Sequence, residues 1–151
     1  MNQETTNAEK TYRTALSVWA ALLLSQVMFI VMLFFIKPEL FRFDFSRPLL
    51  GDNAMAVGLI MLLCINNVVL SFVFRRKYLR QAEAIQSPQQ AQTAIVVGCA
   101  MAESVSLFGM VLAFAFDYPY FFIFFILGIG TTLLHFPRRE EIHAASYRRS
   151  V

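Results

Sequence analysis

Charge is scarce in this chain. Only 15% of its 151 residues are Asp, Glu, Lys or Arg, while 58% are hydrophobic. Histidine and cysteine occur twice each. No zinc-type Cys/His spacing exists, and Cys64 and Cys99 both fall inside apolar runs, where a free thiol behaves as a small hydrophobe. A Ser/His/Asp set, a second acid within an apolar run, a metal cluster and a glycine-rich phosphate loop are all missing, so the sequence carries no enzyme signature. The basic residues are dispersed and have no base-stacking partners, which argues against nucleic acid as a ligand.

What the chain does have is long apolar stretches bounded by charge, Pro or Gly. They cover residues 15–36, 54–74, 93–116 and 119–136. The first is too long for a signal-peptide core and reads as a retained helix. A helix needs about 20 apolar residues to cross a hydrocarbon core of about 30 Å. The expected fold is therefore all-α: a four-transmembrane-helix bundle with a polar segment at 1–14, an outer loop at 37–53, an inner loop at 75–92 and a basic tail at 137–151. These segments leave no room for a soluble domain.

Orientation follows from Lys and Arg. Lys10, Arg13, Arg75, Arg76, Lys77, Arg80, Arg138, Arg139, Arg148 and Arg149 fall on one side of four spans, against Lys37, Arg42 and Arg47 on the other. Both termini are expected in the cytoplasm, and the protein in a bacterial inner membrane. The basic residues after the second run read as topology determinants that meet anionic lipid. His135 and His143 read as interfacial.

Local signals refine the picture. Ser17, Ala21 and Ser25 are spaced by four, as in a small-residue packing seam. Trp19 fits an interfacial aromatic. Residues 41–45 alternate Phe with polar side chains and suggest an extended segment. Ser87-Pro88 predicts an N-cap with Pro at the first helical position, which would start the third helix near residue 88. Asp117-Tyr118-Pro119 predicts a tight connection into an antiparallel fourth helix, where Gly128, Thr131 and Thr132 form a small patch. On the third helix, Gly98, Ala102, Ser106, Gly109 and Ala113 fall within roughly 80° of one another at 100° per residue, a stripe that lets a neighbour approach.

Glu103 lies in the middle of the third run. An ionisable group there costs from roughly 2.5 to more than 10 kcal/mol and normally faces protein or a water path. Asn66 and Asn67 sit at similar depth on the antiparallel second helix, and Asn67 is the expected partner. Two readings of Glu103 follow. One is a protonatable, ion-binding carboxyl with Asn67 and Ser104 as companions. The other is an interhelical hydrogen-bond anchor in a structural or assembly subunit.

Arg80-Gln81-Ala82-Glu83 resembles the Arg-Gln-Pro-Glu loop of the proteolipid subunit c of rotary F-type ATP synthases. Gln90-Ala91-Gln92-Thr93 resembles the start of that subunit's second helix, and Gly98, Ala100, Glu103 and Gly109 follow at the family's spacing. The resemblance covers about Arg80 to Phe116. It implies that Glu103 is the reversible ion-binding carboxyl, that Arg80, Gln81 and Glu83 belong to a cytoplasmic loop that docks a partner, and that the chain works as a homo-oligomer or a subunit of a membrane complex. It implies no organic cofactor, only H⁺ or Na⁺. Ser104 matches Na⁺-binding members, whereas Asn67 and Phe108 stand where those members have Gln and Tyr, so the proton is the expected ion. The family's alternate glycines in the first hairpin helix are Ile60, Leu62, Cys64 and Asn66 here.

Overall fold

A computed structural model describes residues 3–42, 46–51 and 53–146, with side chains from residue 6 onward. Five α-helices account for most of them: α1 (Gln3–Ile36), α2 (Ala54–Ile85), α3 (Pro88–Phe116), α4 (Phe122–Leu134) and the short α5 (Arg139–Ala144), with a 3₁₀ turn at Pro38–Phe41. No strand occurs among the described residues. The alternation expected at 41–45 lies outside them except for Phe41 and Arg42.

Three helices, α1 to α3, are long and apolar enough to cross a membrane. Their outward faces are apolar, with Leu24, Phe35, Leu59, Leu62 and Val73 each more than half exposed. In water such a surface would associate indiscriminately; against lipid tails it is matched. The chain is a helical integral membrane protein.

The helices overrun the apolar runs. α1 begins at Gln3, and α2 continues to Ile85. Residues 75–92 are therefore not the loop expected from their polarity: Arg80, Gln81 and Glu83 sit on the last turns of α2. Charge ends a membrane span but not a helix, and Lys, Arg, Leu, Gln, Glu and Ala are all good helix formers. What stops α2 is Gln86, at φ 54. Its neighbour Ser87 donates from its backbone N–H to the Ala82 carbonyl at 3.0 Å, a Schellman-type closure. Pro88 then opens α3 at its first position, without a side-chain cap from Ser87. α3 ends in the same way, with Asp117 at φ 46 and the Tyr118 N–H on the Leu112 carbonyl at 3.3 Å.

α3 is the centre of the bundle and packs on α1, α2 and α4. Its small-residue stripe, Gly98, Ala102, Ser106, Gly109 and Ala113, is buried throughout. α4 lies against it. A Cβ on Gly109 would stand 2.6 Å from Phe124 Cβ, and one on Gly128 would stand 3.0 Å from the Ala102 carbonyl and collide with Ser106 Oγ. At the far end the His135 ring lies 3.4 Å from where a Gly98 Cβ would be.

α1 packs through a different seam from the one expected. Ser17 and Ala21 are exposed. Its inward residues are Ala8, Tyr12, Ala15, Trp19, Leu22, Gln26, Phe29 and Leu33, all buried or half-buried. Their steps alternate four and three, the heptad spacing that keeps one stripe facing a neighbour at a shallow crossing angle.

The two ends of the bundle are closed differently. At one end Lys37 Nζ donates to the Ala113 and Phe114 carbonyls at 3.3 and 3.1 Å and pairs with Asp117, a cation on the last carbonyls of α3. Tyr118 and Tyr120 donate their hydroxyls to the Leu49 and Arg47 carbonyls. At the other end α5 inserts Ile142 among Ala8, Tyr12, Ala82, Ala91 and Ile95.

Candidate functional site

Polar side chains inside the bundle form four groups, each fixed by helix geometry. The first is Glu103. Position 103 is turned away from α4 and towards α1, where Ser25 Oγ donates to Glu103 Oε1. Ser25 Oγ also lies 2.8 Å from the Leu22 carbonyl, to which it donates. A hydroxyl has one proton, and here two acceptors face it. The Leu22 carbonyl and the Glu103 carboxyl therefore share it. Glu103 is half-buried, so one side of it is open to whatever lies beside the bundle.

The second group is Asn67 with Ser104. Asn67 Nδ2 donates to Ser104 Oγ and, at 3.2 Å, to the Met101 carbonyl. Ser104 Oγ donates to the same carbonyl at 2.7 Å. These bonds bind α2 to α3 and leave neither side chain on Glu103. The expected set of Glu103, Asn67 and Ser104 is thus split: adjacent helical positions project about 100° apart, so Ser104 meets α2 while Glu103 meets α1.

The third group was not anticipated. Gln26 is fully buried and spans three helices. Its Nε2 donates to Thr132 Oγ1 at 2.8 Å, and its Oε1 accepts from Ser106 Oγ at 2.8 Å. Thr132 Oγ1 in turn donates to the Gly128 carbonyl at 3.0 Å, and Trp19 Nε1 to the Thr132 carbonyl at 2.8 Å. The signal was the heptad: Gln26 is the one amide in the inward seam of α1.

The fourth group centres on Arg75, which is 8% exposed. Its Nη2 donates to Glu141 Oε2 at 2.9 Å and to the Phe136 carbonyl at 3.2 Å; its Nη1 donates to the Leu134 carbonyl at 3.2 Å. Nη1 also lies 3.3 Å from His135 Nδ1. A guanidinium only donates, so Nδ1 is the acceptor and His135 is the neutral tautomer with its proton on Nε2, 3.0 Å from Ser71 Oγ. His135 stands at the end of α4 as expected, but fully buried in protein, and the expectation that Arg75 meets lipid is corrected: it caps the end of α4. The cause is that α4 stops at Leu134, short of the depth reached by α2, so the α2 side chains lie over its last carbonyls. Arg75 Nε is buried without a partner. His143, by contrast, is half-buried on α5.

Among the described residues no three His, Cys, Asp or Glu side chains lie close enough to share a metal ion. The chain matches no family model, and neither the curated proteins nor the solved structures contain a match to it.

Proposed function

We propose that this is a small non-catalytic membrane protein whose function resides in Glu103, a protonatable carboxyl that binds, and in a larger assembly passes on, a proton or cation. The observation that carries the reading is the placement of Glu103: a carboxyl at the middle of α3, half-buried and held by Ser25 Oγ of α1. Its half-buried position leaves a side from which a proton is exchanged. The resemblance to subunit c supports the same assignment. Asn67 and Ser104 bond to each other and to the Met101 carbonyl, so the oxygen ligands that Na⁺ needs are not gathered around Glu103, and H⁺ is the ion we assign. The lipid bilayer, in a bacterial inner membrane with both termini cytoplasmic, is the setting, and a homo-oligomer or larger complex the working form.

Carbodiimide labelling of the purified protein, mapped by peptide mass across pH with and without Na⁺, tests this. Modification at Glu103 that fades at high pH and ignores Na⁺ is the expected result. Absence of modification at every pH would show a sealed carboxyl and overturn it.

A second reading has its own support. The Ser25–Glu103 contact joins α1 to α3 and serves equally as an interhelical anchor in a structural or assembly subunit. Glu103→Gln separates the two, because Gln keeps a donor and an acceptor. Loss of ion binding with an unchanged fold supports the first reading; a fully active variant supports the second.

A further inference from the structure

The outward face of α2 carries a second heptad. Met55, Leu59, Leu62, Asn66, Val69 and Val73 follow one another in steps of four and three, and all six are exposed. At 100° per residue they fall within about 80° of arc. Five are apolar and one is an amide. Asn66 lies near the middle of the apolar run 54–74, at the depth where water is absent. Among the described residues its side chain has no hydrogen-bond partner, whereas the adjacent Asn67 donates twice to α3 through its amide nitrogen.

From this pattern we infer that α2 is a self-association surface, and that a second copy of the same chain packs along this seam in parallel, with the two Asn66 amides bonded to each other. Three physical points select a second copy. An amide carries both donor and acceptor, so it is its own complement. Copies of one chain insert with one orientation, so symmetric packing brings Asn66 to Asn66 at the same depth. A single polar residue in an otherwise apolar heptad seam fixes register and oligomer state in helix pairs, and in hydrocarbon an amide has no water to fall back on. The contact ends at Val73. Arg76 continues the same spacing and is exposed, and like charges there keep the cytoplasmic ends apart. The inference does not depend on the protonation of Glu103.

Oxidative cross-linking of the full-length protein in native membranes tests it. The wild-type chain is the blank, since Cys64 and Cys99 are both buried. Leu62→Cys and, separately, Val69→Cys are expected to give disulfide-linked dimers of this chain. Ile126→Cys, on α4 and 68% exposed, is expected to give none. Adding Asn66→Val to Leu62→Cys is expected to weaken association about tenfold, the scale of a pair of interhelical hydrogen bonds in a membrane. Asn66 is exposed, so this change leaves the fold of the single chain intact. The inference is overturned if both seam cysteines stay monomeric, if Ile126→Cys cross-links as well, if Asn66→Val leaves the yield unchanged, or if the cross-linked product contains a different protein.

Discussion

The two faces of α2 treat neighbouring amides in opposite ways. Asn67, on the inward face, spends its donors on Ser104 and the Met101 carbonyl. Asn66, one residue earlier, points outward with no partner among the described residues. The inward face continues through Ser71 to Arg75, and nearly every polar group on it is matched. From Met55 to Val73 the outward seam is apolar but for the one amide. The difference teaches that a residue type means little here until its angular position is known: a rotation of about 100° separates an amide bonded across two helices from one that faces outward. Gln26 makes the same point from α1, where the single amide of a heptad finds its partners inside the molecule.

Substitutions on the inward side should register as lost stability, and those on the outward side should not. The largest effect belongs to Arg75→Ala, which strips Glu141 of its counter-charge and the end of α4 of its cap. We expect a loss of about 3 kcal/mol, the low end for a broken buried pair because Glu141 keeps some solvent. Denaturation in mild detergent measures it, and an unchanged midpoint would show that α5 is not held by this pair. Next comes Gln26→Leu, which orphans the Ser106 hydroxyl and one acceptor on Thr132; about 2 kcal/mol is expected by the same measurement. If the variant is as stable as the parent, the three-helix network contributes nothing net. Asn67→Leu should cost about 1 kcal/mol, at about 0.6 kcal/mol for each of its two bonds between membrane helices, with closer proteolytic access to α2 as a second readout. The smallest effect is on the outward face: Asn66→Leu should leave the melting of the single chain unchanged while reducing dimer formation. A destabilised monomer would mean that the two faces are not distinct after all.

Much of the fold was legible in the sequence, and the reasons are physical. Pro88 and Asp117-Tyr118-Pro119 bracket α3 because a proline ring and a left-handed residue leave the backbone few choices. The stripe from Gly98 to Ala113 was readable because only small side chains permit the approach of α4. Helix ends outside the membrane were harder. Polarity marks where lipid stops, and residues 75–85 stay helical beyond that point. The site was read least well. Glu103 stood out by charge alone, but its partner did not: depth suggested Asn67, and depth says nothing about azimuth. Ser25 faces Glu103 and was visible only as a small residue. Arg75 and His135 looked interfacial because charge and position along the chain point outward by default; their burial depends on the early end of α4, a tertiary fact with no local signature.

That early end has a consequence for the surrounding lipid. Thirteen residues at 1.5 Å each make about 20 Å of regular helix, against a hydrocarbon thickness of about 30 Å. As a membrane span, α4 would be shorter than the hydrocarbon around it. Lipids beside it would shorten, or headgroups and water would dip towards the Arg75 end, while the longer α1 and α2 would match the full thickness. Hydrophobic mismatch of this one-sided kind costs fractions of a kcal/mol per ångström, enough to tie the protein's stability to the acyl-chain length of the membrane it occupies.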